Sequence, residues 1–180
     1  MIKQISLTIL LVSIIIGCSN SSDPDYNSYY DSLTNLSAKE SIAKGNDWKF
    51  SAPKIKTHVT SSEAIFEFPD GRVVKKTLPT DSFYVAIAPF INGTHTCETH
   101  YPSSCDGEMK EQTVKVIVTD ESTNILFNGN INTLKNGFFE LWLPRNKNIK
   151  IDIQYNSSIG TEIIPTKDDS RTCITTIKLE

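Results

Sequence analysis

Ser82-Phe83-Tyr84-Val85-Ala86-Ile87-Ala88 is an almost unbroken apolar run that stops at Pro89. It predicts a central strand buried on both faces. Toward the N-terminus, Ala64–Phe68 and Arg72–Leu78 flank Pro69-Asp70-Gly71. That tripeptide is a turn signal, because Pro presets φ and Gly accepts a positive φ. Ile55–Thr60 is a further strand candidate, with alternation setting in from Trp48. Toward the C-terminus, Val114–Val118, Ile125–Phe127, Gly137–Leu143, Ile149–Tyr155 and Ile174–Leu179 are strand-like. β-Branched and aromatic residues dominate these runs. Short strands separated by regular turn signals predict a mainly β chain with a β-sandwich-like C-terminal domain.

The N-terminal side of this β region is different. Tyr26, Tyr29, Tyr30, Leu33 and Leu36 recur at helical spacing, and Ser37-Ala38-Lys39-Glu40 has the form of a capping box. One or two short helices are expected between about residues 27 and 44, with Gly45 as the C-terminal stop. The organisation expected is a leader over 1–17, a tether over 18–25, a helical and hairpin part over 26–80, and a β-rich metal-binding domain over 81–180.

The chain has 180 residues and a formal net charge of −3. This mild acidity excludes a nucleic-acid footprint and a polybasic membrane-surface protein. Eight Gly and eight Pro are ordinary, which excludes collagen-like and disordered classes.

Met1–Gly17 carries Lys3 ahead of an apolar stretch from Ile5 to Ile16, the layout of a secretory signal. It closes on Ile15-Ile16-Gly17-Cys18, which resembles the bacterial lipobox, and polar Ser19–Asp25 resembles a lipoprotein tether. Cys18 is therefore the expected lipidation site, anchoring an exported protein in the bacterial envelope, on its periplasmic face or at the cell surface. Cys97, Cys105 and Cys173 then remain in an oxidising compartment. Three is an odd number, so at least one thiol stays outside any intramolecular pairing.

Thr94-His95-Thr96-Cys97-Glu98-Thr99-His100-Tyr101-Pro102-Ser103-Ser104-Cys105 gathers two histidines and two cysteines in one loop. Thiolates select Cu(I) and Zn(II), and imidazole suits both metals. Cys173 would join them if the last strand lay beside the strand that leads into this loop. Met109 is a conceivable further soft ligand, although a single Met more often packs. The competing reading is a disulfide: Cys97–Cys105, or either of them with Cys173. His58 lies in a strand away from other ligand types. There is no nucleophile elbow, no phosphate-cradling loop and no assignable acid–base pair. The pattern is that of a metal-binding or redox protein rather than a hydrolase or transferase.

Phe83–Phe90, Thr94-His95-Thr96-Cys97 with Cys105, Gly137–Arg145, and the closing Thr172-Cys173-Ile174-Thr175-Thr176 together resemble the CueP family of periplasmic copper-binding proteins. The resemblance covers roughly residues 45–180. It implies that Cys97, Cys105 and Cys173 form a metal and redox centre. It also implies copper resistance, copper reduction, supply of copper to a periplasmic superoxide dismutase or other acceptor, and an N-terminal part that forms a homodimer. The lipobox departs from that family's pattern and favours sequestration over a freely diffusing carrier.

The function expected is thus a lipid-anchored copper protein with three sulfur ligands and histidine help. His100 is the first choice of extra ligand and His95 the second. Cu(I) is the preferred ion, with zinc able to use the same Cys₃His set. The alternative is a non-catalytic β-sandwich surface module, stapled by one disulfide and docking on a protein or envelope partner.

Overall fold

The computed structural model describes residues 25–51 and 54–180. The leader, Cys18 and the tether up to residue 24 lie outside it. Two helices, α1 (Tyr26–Leu33) and α2 (Ala38–Ser51), precede ten strands. These are β1 (Lys56–Val59), β2 (Glu63–Glu67), β3 (Val73–Thr77), β4 (Ser82–Ile87), β5 (Thr113–Thr119), β6 (Ile125–Asn132), β7 (Phe139–Pro144), β8 (Asn148–Tyr155), β9 (Ser158–Pro165) and β10 (Cys173–Ile174). The chain is therefore mainly β with a short helical N-terminal segment.

The apolar run at 82–88 occupies the middle of the molecule. β4 lies between antiparallel β7 and parallel β10, and all its residues after Ser82 are buried. On one face Phe83, Val85 and Ile87, with Phe139, Leu141 and Leu143 of β7, pack on the sheet ordered β6-β5-β8-β9. That sheet contributes Val114, Val116, Val118, Ile149, Ile151 and Ile153, completing a sandwich. The opposite face carries Tyr84, Ala86 and Phe138. These join a second core with Leu33, Ile42, Trp48 and Phe66, from the helices and the β1-β2-β3 sheet. Alternation along one strand thus feeds two cores.

The capping box forms as its spacing predicts. The Ser37 amide donates to the Glu40 carboxylate at 2.8 Å, and the Glu40 amide to Ser37 Oγ at 3.3 Å. Gly45, however, does not stop α2. It lies within the helix, where a Cβ would stand 2.8 Å from Thr57 Cγ2 and 3.4 Å from the Phe66 ring. Its missing side chain lets the helix approach β1 and β2. The helix continues through Trp48, whose ring meets Tyr29, Phe66 and Phe68 at 5.4, 6.0 and 6.4 Å. Trp48 therefore belongs to the helix rather than to the start of the alternation.

β9 is a strand that hydropathy patterning alone does not announce. Ile159 and Ile163 point outward, 56% and 64% exposed, while Gly160 and Ile164 face inward. Period-two patterning is blurred because apolar residues occupy both faces. Gly160 is required there, since a Cβ would lie 2.5 Å from the Lys178 carbonyl oxygen. The C-terminal segment is shorter as a strand than Ile174–Leu179 suggests. It leaves β4 after Ile174, bridges Phe90 at Lys178, and exchanges hydrogen bonds between Glu180 and Ile159. It stitches the two sheets together instead of extending one.

Gly137 is the tightest point near the loop that precedes β5. Its φ is +81°, and a Cβ would stand 2.5 Å from the Gly107 carbonyl oxygen. Gly137→Ala is expected to destabilise the protein by about 1–3 kcal/mol from backbone conformation alone. The clash adds to this. Chemical denaturation of the variant beside wild type measures the loss.

Candidate metal centre

The 88–112 connection between β4 and β5 has little regular structure, so its shape depends on where its backbone hydrogen bonds go. At its start the Glu108 carboxylate accepts from the amides of Ile91, Asn92 and Gly93, at 2.9, 2.9 and 3.1 Å. Further on, Thr94 Oγ1 donates to the Thr175 carbonyl at 2.7 Å, and Thr175 Oγ1 to the His95 carbonyl at 2.6 Å. The amides of Thr172 and Cys173 both donate to the Glu98 carbonyl, and the Val59 amide to the His100 carbonyl. The loop is thereby threaded between the end of β1 and the C-terminal segment. The parallel pairing of Cys173 with Ala86 then brings the last cysteine to the loop.

The amides around Glu108 hold its carboxyl down at about 2. A carboxyl depressed on folding stabilises the protein above the unfolded value of about 4.3, and that gain is lost as pH falls toward 2. Glu108→Gln is expected to flatten the fall in melting temperature between pH 5 and 2. Thermal scans across that range check it.

Cys97 and Cys173 are joined in a disulfide, with Cα atoms 5.5 Å apart. Cys105 is a free, buried thiol whose sulfur lies 3.5 Å from Cys97 Sγ. It receives the Tyr101 amide at 3.3 Å. Burial pushes the Cys105 thiol up, opposed by that amide and by the Lys49 charge. The Lys49 ammonium donates to the Cys105 carbonyl at 2.6 Å and to Asp106 at 2.7 Å, fixing the end of the loop to α2.

His100 is fully buried, and neither ring nitrogen has a hydrogen-bond partner among the described residues. It packs on Phe138 at 4.7 Å and near Tyr84 at 6.3 Å, centroid to centroid. Burial, then the Lys49 and His95 charges, push its pKa down to about 3. The imidazole is therefore neutral at physiological pH, with an available lone pair. Buried polar atoms are normally satisfied, so ring nitrogens that no described protein group occupies are free to meet a ligand.

Among the described residues, two sets of donor atoms meet the spacing for a metal, each with its atoms within 4.8 Å of one another: His95, Cys97 and Cys105, and His100, Cys105 and Cys173. Each of the five candidates read from the sequence belongs to at least one of these sets, and Cys105 to both. Met109 is not; it is buried in the core on the other side of the central sheet. His58 stacks on Tyr101 at 5.3 Å, and its Nδ1 lies 3.8 Å from Glu67.

Sequence reasoning missed the polar network beneath the thiols. Glu140 accepts from Tyr84 Oη and from Asn46 Nδ2, both at 2.7 Å. Asn136 Nδ2 in turn donates to Asn46 Oδ1 at 3.3 Å. Burial pushes the Glu140 carboxyl up, with both hydrogen bonds opposing, and pushes the Tyr84 hydroxyl well up. The signal was present as a lone carboxylate in the apolar stretch Phe138-Phe139-Glu140-Leu141-Trp142.

Two sulfurs and two imidazoles of this loop, with the Cys173 sulfur from β10, form a donor set whose chemistry suits a soft or borderline metal. Comparison with known proteins gives the chain a family. The description "Periplasmic copper-binding protein CueP" matches residues 48–178, and the chain belongs to this CueP family. A crystal structure of S.CueP superposes with a TM-score of 0.76 and 26% sequence identity, covering 87% of this chain and 99% of that one. No curated protein matches the chain. Among the described residues, no helix is long and apolar enough to cross a membrane.

Proposed function

We propose that this CueP-family protein sequesters copper as Cu(I), using Cys97, Cys105 and Cys173 with an imidazole from His100 or His95. One observation carries the reading: the three sulfurs converge beside a buried histidine whose ring nitrogens have no other partner. Thiolate donors favour Cu(I) over Cu(II), and burial withholds the ion from peroxide. Zinc is a competitor for the same donors.

The Cys97–Cys173 disulfide represents the oxidised state of the site. Its formation from two thiols releases two electrons and two protons, enough to reduce two Cu(II) ions to Cu(I). Reduction of Cu(II) with loss of two thiols per protein is therefore part of the proposal, as is transfer of Cu(I) to an acceptor such as a periplasmic superoxide dismutase. The leader pattern supports lipid anchoring at Cys18.

The test is anaerobic titration of the reduced protein with Cu(I) against a competing chelator. One tight equivalent, lost on replacing Cys105 and weakened on replacing Cys97 or Cys173 by serine, supports the reading. Weak binding indifferent to those changes overturns it. That outcome would leave the disulfide as a staple of a protein-docking module.

A further inference from the structure

The geometry points to two successive copper positions within the site, an outer set for loading and an inner one for storage, pivoting on Cys105. This rests on the copper reading above. The two sets share only Cys105, and each brings its own histidine. Their surroundings differ sharply. His95 is exposed and Cys97 half-buried, and a cleft of about 410 Å³ lined by His95, Cys97 and Cys105 opens onto them. His100 and Cys173 are fully buried and line none of that cleft. A metal arriving from solvent meets the outer donors first. The inner donors hold the stronger claim on it, because the exposed His95 ring must shed water to bind, whereas His100 is buried with no hydrogen bond among the described residues to give up.

In the reduced protein Cu(I) binds His95 Nδ1 or Nε2 with the Cys97 and Cys105 thiolates. It then exchanges two ligands and keeps one. Bonds to Cys173 Sγ and a His100 ring nitrogen form as those to Cys97 Sγ and His95 break, while Cys105 Sγ remains bound. The proton released by Cys173 is taken by Cys97, so copper stays Cu(I) and the charge of the site does not change. Transfer in the opposite direction returns copper to the surface, where an acceptor can take it.

Stopped-flow mixing of reduced full-length protein with Cu(I) held by bathocuproine disulfonate tests this. Wild type is expected to remove copper in a fast phase that scales with protein concentration, followed by a slower one that does not. His95→Ala is expected to slow the fast phase, with a far smaller change in equilibrium affinity. His100→Leu and Cys173→Ser are expected to keep the fast phase and lose the slow one, with affinity falling by more than the roughly 10- to 100-fold typical of substitutions that only support a ligand.

A single phase in wild type, or parallel changes of rate and affinity in the His95 and His100 variants, overturns the two-position scheme and leaves the copper site itself standing. Wild type that takes no copper from the chelator overturns the copper reading, and this scheme with it. Should both inner variants fail to fold, His95→Ala decides alone: rate falling without affinity supports the scheme, and equal falls overturn it.

Discussion

Cys105→Ser is expected to abolish tight Cu(I) binding while leaving the fold and the Cys97–Cys173 disulfide intact. Cys105 is free, buried and common to both donor sets. Its replacement removes a sulfur from each set at once. The affinity loss should exceed the roughly 10- to 100-fold typical of substitutions that only support a ligand. Serine is nearly isosteric, and its hydroxyl can still accept the Tyr101 amide now received by the sulfur. Chelator competition gives the affinity, and near-ultraviolet circular dichroism reports whether the packing of Tyr84 and Trp142 survives. A variant that keeps wild-type affinity would mean copper is held elsewhere.

The second large effect is on stability. The disulfide joins residues 76 positions apart, closing a long loop of the unfolded chain. Reducing it is expected to cost about 2–4 kcal/mol. Cu(I) should then restore the loss, because a ligand that binds only the folded state adds about 4 kcal/mol at a thousand times its dissociation constant. Denaturant unfolding of oxidised, reduced and reduced copper-loaded protein measures all three. If copper does not stabilise the reduced form, the cysteines serve only as a cross-link.

Most strands could be read because their apolar residues alternate or run unbroken, which is what a face packed on a core requires. β4 is the clearest case, since burial on both faces leaves no polar position to interrupt it. β9 escaped because Gly160 and two outward isoleucines conceal the period. The end of α2 escaped because Gly45 is there for close packing on Thr57, and a glycine used for packing looks the same in sequence as one that ends a helix. At the site, residue types alone nominated the cysteines and histidines. Pairing was beyond the sequence: Cys97 has Cys105 near it in the chain and Cys173 far away, and only the parallel β4–β10 contact selects the distant partner. The two separate donor sets depend on which way a loop without regular structure turns, and periodicity carries no information about that.

The parallel placement of Cys173 beside β4 also imposes an order in time. A periplasmic protein emerges from its translocation channel N-terminus first, so residues 97 and 105 are outside the membrane before residue 173 follows. During that interval the nascent chain has two of the three sulfurs of the candidate site and lacks the inner donor set. If copper is held as proposed, high-affinity capture is expected only once the last strand has docked. On the proposed scheme, a chain cut short before Cys173 is expected to keep only the outer donors His95, Cys97 and Cys105, and so to bind copper without sheltering it.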